Sequence, residues 1–431
     1  MTGPFFGEQG SFVKNATGSL CAARVGDGYW LSEFGNQGVS PFAPSGYQFF
    51  RNVRDFGAVG DGVTDDTGAI NRAAAAFSQS NLEDARCDGD CGSTTTLTAV
   101  VYFPPGTYLI SSPIFQYYYT QFVSNPEARA VIKGSRNFTG IALFDANFYV
   151  PGGGGKQGYV NQSNFFLQIR NFVFDMTGMN SKNYQNDQEY VPTGIHWQVG
   201  QATSITNCHS DDSGPTTAIG IFMENGSGGS VSDLSFFGGN IGFLAGSQQF
   251  TAQNLRFTLS LTAIKHEWNW GLVWKNIYVQ AAYVAIDCTA FSESTNPPQG
   301  TGSITVLDSH FNGVPYAITV SRNGNQQPNI VLDNLLVENS QSVVLVSGGE
   351  TLLEGSAGPL TINGWASGYQ DGGNQYYPCS MTVRFWSLCI DSDWSAQEGL
   401  CRSAAALLDA PPRRQQLDSP TGATAPVSYE R

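Results

Sequence analysis

From about residue 164 onward the chain repeats a short unit: an apolar residue, a spacer, an Asn or Asp, then usually another apolar residue. The units are Ile169-Arg170-Asn171-Phe172, Ile205-Thr206-Asn207-Cys208, Val231-Ser232-Asp233-Leu234, Ala252-Gln253-Asn254-Leu255, Trp274-Lys275-Asn276-Ile277, Val306-Leu307-Asp308-Ser309 and Leu332-Asp333-Asn334-Leu335. Successive Asn/Asp positions lie 36, 26, 21, 22, 32 and 26 residues apart. The shortest steps set a basal coil of 21 to 22 residues, and the longer ones read as the same coil with inserted loops. A β-rich period of this size means a solenoid. One coil cannot bury its own inner face; stacked coils can, and Asn tolerates left-handed backbone at each bend. The LxxLxL signature of a leucine-rich repeat is absent, and a propeller needs a period of about 40. The chain therefore reads as all-β, a right-handed parallel β-helix over residues 51–365.

The flanks read differently. Residues 1–50 are irregular. Asn52 to Gly57 reads as a strand entering a Gly-rich turn, and Thr64, Asp65 and Asp66 offer oxygens to cap a helix. Ala69, Ile70, Ala73, Ala74 and Phe77 follow at helical spacing, which predicts a short helix closing the solenoid's N-terminal end. Residues 366–431 are polar and Pro-rich and read as a linker rather than a cap.

Composition narrows the partners. Charged residues are 13%, Gly is 50 and the net charge is −14. An acidic surface repels nucleic acid and anionic membranes, so neither is expected as a partner, and a neutral polysaccharide suits the chain better than pectate. No apolar run reaches the ~18 residues of a membrane span. The eight cysteines, with Cys87 and Cys91 in CDGDC read as a loop disulfide, lean towards an oxidising compartment. Sequons at Asn15, Asn137, Asn161 and Asn225 agree with secretion, although the first residues carry no signal-peptide pattern. No cofactor and no metal site is expected: His numbers 4, no second CxxC-type pair accompanies CDGDC, and GGGGK at 152–156 lacks the Ser/Thr of a phosphate loop.

Two polar clusters are candidates for chemistry: GIHWQVGQATS at 194–204 and GIFMENGSGG at 220–229. Gln201 and Ser227 are 26 residues apart and Gln198 and Ser227 are 29, about one coil plus a short insertion. Such side chains can hold a water or a sugar hydroxyl, but cannot act as strong acids or bases. Trp197, Trp268, Trp270 and Tyr283 offer sugar platforms. Trp197 also alternates with Ile195 and Val199, which points it into the core. His196 is either a surface hydrogen-bonder or a substrate contact, and Glu224 either caps a turn or contacts substrate. Glycoside hydrolysis normally needs an acid and a base or nucleophile; no Asp/Glu pair at suitable spacing stands out.

RNVRDFGAVGDGVTDDTGAI and VYFPPGTYLI resemble the N-terminal signature of the pectate-lyase-like superfamily, which lyases, polygalacturonases and phage tailspikes share. NQSNFFLQIRNFVFDMT, GIHWQVGQATS, GIFMENGSGGSVSDLSFFGGNIG and GSQQFTAQNLRF resemble glycoside hydrolase family 55, the exo-β-1,3-glucanases, over nearly the whole chain from about Tyr29. The resemblance implies two β-helix domains in a polypeptide of roughly twice this length. It further implies inverting release of glucose from β-1,3-glucan in a cleft between the domains. Gln201 (or Gln198) and Ser227 would place the attacking water. The general acid would lie in the second domain, outside this chain, and LLDAPPRRQQLDSPTGATAPVSYER resembles the interdomain linker. The implied substrate contacts are His196, Trp197, Gln198, Glu224, Trp268 and Trp270. GGSV after Asn225 and residues 207–217 depart from the family pattern. On this reading the chain is an N-terminal half, inactive alone, whose partners are β-1,3-glucan and a second β-helix domain or chain. The alternatives are a pectin lyase or polygalacturonase type of enzyme, and a non-catalytic glycan-binding module.

Overall fold

The computed structural model describes residues 29–33, 39–40, 42–78, 81–85, 94, 96–185, 188–292, 299–321, 328–371 and 376–382. Cys21, Cys87, Cys91, Cys389, Cys401, the Asn15 sequon and the end of the linker-like tail lie outside the described residues, so the CDGDC disulfide does too. Cys208 and Cys288 are buried free thiols.

A helix closes the first coils of the solenoid. Thr67–Ala75 forms nine residues of helix whose buried face, Ala69, Ile70, Ala73 and Ala74, covers the end of the core. Of the acidic residues expected to cap it, Asp65 bonds the first turn, whereas Asp66 at the N-cap makes no side-chain cap bond and holds the preceding turn instead. Asp65 Oδ1 accepts from the amide and the hydroxyl of Thr67, and the Asp66 carboxylate accepts from Val59 N and Gly60 N. At the other end the fully buried Arg51 donates to the carbonyls of Ala73 and Ala74. A guanidinium there satisfies acceptors that a helix C-terminus leaves unpaired.

Parallel strands then stack coil upon coil. One core column can be followed by register through Val101, Phe122, Ile169, Ile205, Val231, Ala252, Trp274, Val306 and Leu332. None of these is more than 2% exposed. Each inward side chain sits on its equivalent from the next coil, about 4.8 Å away, so every coil closes its neighbour's hydrophobic face. Large and small residues alternate where space demands: Trp274 lies against Ala252. The first coils are filled by aromatic rings, with Phe103, Phe122, Phe144 and Phe172 in mutual contact at 5.0–5.9 Å.

The repeating Asn and Asp occupy one bend. Asn171, Asn207, Asp233, Asn254, Asn276, Asp308 and Asn334 all have φ between 49° and 68°. Their side chains form ladders along the solenoid. Asn207 donates to Asn171 (2.9 Å), Asn254 to Asp233 (3.0 Å), Asn276 to Asn254 (2.7 Å) and Asn334 to Asp308 (2.9 Å). Each run stops before an Asp, because a carboxylate has no N–H to donate to the coil before it.

The far end corrects one expectation. Thr351–Glu354 pairs antiparallel with Ser342–Val346, and Leu360–Ile362 and Trp365–Asp371 pair antiparallel with Asn329–Glu338. Trp365–Asp371 then turns back on Tyr376–Thr382. The boundary expected at 365 thus falls at the start of a strand, and the first part of the supposed linker protects the last coil's edge. An open edge is a template for uncontrolled pairing, which antiparallel cover removes.

Candidate active-site groove

A second corner of each coil is built by Phe144–Asp145, Thr193–Val199, Ile219–Gly226, Ile241–Thr258 and Thr262–Gln280, paired in that order. Their ladder is not regular. His196 faces Phe222 while Gln198 faces Asn225, so Met223 and Glu224 together oppose Trp197. Ala245 faces His266 while Gly246 faces Trp268, leaving Glu267 as the extra residue. Bulges re-aim a side chain and sharpen local twist. Here each bulge carries a glutamate on the outer face.

Glu224 is the centre of a polar chain. His196 donates through Nδ1 to Asp145 Oδ1 (2.8 Å) and through Nε2 to Glu224 Oε2 (2.8 Å). The Tyr149 hydroxyl donates to the other oxygen, Oε1, at 2.5 Å, and its ring stacks 6.1 Å from the His196 ring. His196 is fully buried and Asp145 nearly so, while the Glu224 side chain keeps 29% of its surface exposed. Burial opposes a charge on His196, but the two carboxylates overcome it and hold the imidazolium up to about 9. Burial likewise opposes ionisation of Glu224, yet His196 and Tyr149 keep its carboxyl below the ordinary range. Burial, and then the charge of Glu224, push the Glu267 carboxyl the other way. Two carboxyl groups at neighbouring bulges, two rungs or roughly 9.6 Å apart along the backbone, are thus shifted in opposite directions.

The outer face around Glu224 is a groove of about 860 Å³, whose lining does not include Glu267. Phe222, Leu244 and Glu224 contribute to its lining, with Tyr149, Phe148 and Tyr190 from inserted segments. The turn Pro151–Gly155 forms an exposed rim, so GGGGK is a surface loop as expected. The insertion that carries Tyr149 is pinned by two buried asparagines. Asn147 donates to Gln198 Oε1 (2.9 Å) and to Tyr159 O, and Asn164 donates to Ala146 O and Gln198 O.

That cover decides what the predicted residues can touch. Trp197 lies in the core with no exposed surface, which corrects its reading as a sugar platform; strand alternation and the neighbouring Ile195 and Val199 place it inward. Gln198 points outward but is sealed under Asn147 and Asn164, so it too makes no open contact. His196 is closed off and acts on Glu224 rather than on solvent. Gln201 is exposed. Ser227 is only 3% exposed, with its hydroxyl 3.5 Å from Gln162 O. Since Val199 faces Gly226, Gln201 stacks on Gly228 rather than on Ser227, and the structure does not join the two in one open site. Trp268 is half-buried and donates to Glu224 O (3.1 Å), and Trp270 is 67% exposed. Of the predicted contacts, Glu224 alone reaches the groove lining. Asp145, Tyr149 and Glu267 escaped sequence reasoning, and no periodic signal marks them.

Stacked parallel coils with a helix over one end and a groove on an outer face define a parallel β-helix protein. Residues 50–287 match the rhamnogalacturonase A/epimerase, pectate lyase-like family, and the chain belongs to that family. The chain is similar to a probable glucan endo-1,3-beta-glucosidase of Arthroderma benhamiae, 40% identical over 79% of this chain and 37% of that protein. It is also 36% identical to a glucan 1,3-beta-glucosidase of Cochliobolus carbonum over 85% of this chain and 45% of that one. A non-secreted LysM effector of Penicillium expansum is 36% identical over 81% of this chain and 27% of its own length. The chain thus spans less than half the length of these relatives. Among solved structures, the A-module of a mannuronan C-5 epimerase from Azotobacter vinelandii overlays at a TM-score of 0.44, with 16% identity, covering 69% of this chain and 72% of that one. The names of the glucanase relatives agree with the resemblance to glycoside hydrolase family 55.

Proposed function

We propose that the chain is the glucan-holding part of a β-1,3-glucan hydrolase that inverts configuration and releases glucose from the chain end. The observation that carries the reading is Glu224, an ionised carboxylate at the groove lining, fixed by Asp145–His196 on one side and Tyr149 on the other. Such a carboxylate, already oriented by two donors, has lone pairs left for a sugar hydroxyl or a water. The similarity to glucan 1,3-beta-glucosidases supports β-1,3-glucan as substrate, and a groove lining that holds Asp145, Glu189 and Glu224 but no Lys or Arg disfavours a polyanionic one. Gln201 and Ser227 remain the proposed water-placing pair, which requires the Gln162 turn to move off Ser227 and the one-residue offset between the two side chains to be bridged. The general acid is proposed to come from a second β-helix domain or chain, so this chain alone is expected to be inactive.

One observation favours a second reading, in which Glu267 supplies the acid and the chain turns over by itself: burial and then the charge of Glu224 push its carboxyl above the ordinary range, while Glu224 is held below it. Glucose release from laminarin by the purified chain decides between them. No release, together with laminari-oligosaccharide binding that Glu224→Gln weakens at least tenfold, is the expected result. Release that Glu267→Gln abolishes supports the second reading, and failure to bind any β-1,3-glucan oligosaccharide overturns both. Secretion is likewise proposed. It is supported by the exposed sequon Asn137, whereas the side chain of Asn161 is buried, and a mass shift on deglycosylation of the native protein tests it.

A further inference from the structure

The outer side of the core column described above carries a second row of aligned residues. Gln121, Gln168, Ser204, Ser230 and Thr251 are direct register neighbours on five successive coils. Each directly precedes or follows a core residue, so strand alternation turns it outward, and all five are half-buried or exposed. None of the five side chains makes a hydrogen bond within the described residues. Over the first four runs a shallow groove of about 510 Å³, bordered by Tyr119 and Phe166, whose rings lie 4.6 Å apart.

The rim is built at a conformational cost. Tyr119, Phe166 and Ala202 each stand two residues before a ladder residue, and their φ values are 50°, 63° and 57°. Left-handed backbone is uncommon in residues other than Gly, Asn and Asp, and for bulky residues it marks strain. At the asparagine bend the same geometry is given to residues that tolerate it. Here three successive coils give it to two aromatics and an alanine, which sets the two rings side by side at the groove's edge. Strain of this kind collects at ligand-binding surfaces.

We propose that this face is a binding site for a neutral linear polysaccharide, distinct from the Glu224 groove. Amide and hydroxyl groups repeating about every 4.8 Å offer donors and acceptors in register with the hydroxyls of successive sugar rings. The ring pair offers an apolar face to the C–H side of a pyranose. The ladder carries no charge and the chain is acidic overall, so it gives nothing to a polyanionic uronate. The site depends on the glucan reading only for its first probe, laminarin.

Calorimetric titration of the purified chain with laminarin, xylan, mannan and polygalacturonate tests it. Two variants address the face: Phe166→Ala combined with Gln168→Ala, and Ser230→Trp, which fills the groove from an exposed position. Both are expected to keep the parent's melting temperature within a few degrees and to weaken neutral-polysaccharide binding about tenfold. Glu224→Gln is expected to lower laminarin binding at the other groove and to leave xylan and mannan binding to this face in place. Loss of xylan or mannan binding in the face variants, with no laminarin binding by the parent, sinks the glucan reading and keeps the face. Unchanged affinity in both folded face variants, or no binding of any neutral polysaccharide by the parent, overturns the proposal.

Discussion

The asparagine bend and the Glu224 corner are both polar columns on the outside of the same solenoid, and they are built on opposite rules. At the bend each coil supplies Asn or Asp in the same conformation, and amides at Asn207, Asn254, Asn276 and Asn334 bond their equivalent one coil away. At the corner no two coils supply the same group. Asp145, His196 and Glu224 come from three successive strands, and Tyr149 reaches in from an insertion. The bend is largely exposed and mostly Asn, with carboxylates only at Asp233 and Asp308, so each bond contributes modestly. The corner is buried and ionised, so each group relies on its neighbour. Regular stacking gives a column that can lose one member at small cost. A column of unlike charges gives a site, together with a point at which the fold can fail.

The largest break in that comparison is His196→Ala. It leaves the Asp145 carboxylate buried without its imidazolium, and removing one partner of a buried pair costs about 3–5 kcal/mol. Urea unfolding at pH 7 measures the loss. The same pair fixes a pH dependence. Because the folded-state value of His196 is raised to about 9 from 6.5, its stabilisation is complete below about 6.5 and fades as pH rises through 9. Because Glu224 is held low, its share is present above the ordinary carboxylate value and fades in acid. The parent's melting temperature should therefore fall between pH 7 and pH 10, and that alkaline fall should be shallower in His196→Ala.

Tyr149→Phe is a smaller cut in the same column. It removes one hydrogen bond to an ionised group, a contribution of about 1.5–3 kcal/mol. With one of its two donors gone, Glu224 should ionise at higher pH. The acid limb of laminari-oligosaccharide binding should then move upward, a change that a purely structural tyrosine would not produce.

The bend should answer most gently, and in both directions. Asn254→Ala breaks two rungs of an exposed ladder and is expected to cost about 1 kcal/mol in the same urea assay. Asp233→Asn supplies the N–H that the carboxylate lacks, and can extend the ladder to Asn207. It is expected to stabilise by about 0.5 kcal/mol. A loss from Asp233→Asn as large as that from Asn254→Ala would show that the ladder adds nothing through its donors.

These two columns also divide what was legible. The bend was readable because each coil must turn at the same place, and a left-handed turn selects Asn or Asp whatever the loops between do. The capping helix was readable from its apolar spacing and the acidic residues before it. Trp197 was readable as core from strand alternation, although the same residue had to be weighed as a sugar platform. The corner was not readable. Asp145 is 51 residues from His196 and Tyr149 is 75 from Glu224, distances fixed by insertions with no period. One bulge shifts the register beside each glutamate, so strand alternation does not predict where either side chain points. The antiparallel cover at the far end was missed because short polar strands carry little apolar pattern.

By itself, then, the amino-acid sequence determined the stacking: the coil, the bend, the inward column and the helix at its start. All of these repeat, and repetition turns a three-dimensional requirement into a one-dimensional pattern. Only the tertiary structure decided which outward groups meet. It laid an insertion over Gln198, offset Gln201 from Ser227 and aimed Glu224 at a groove between His196 and Tyr149. The physical reason is that burial of apolar surface depends on residue type and spacing along the chain, whereas a charged cluster depends on where unequal loops end in space.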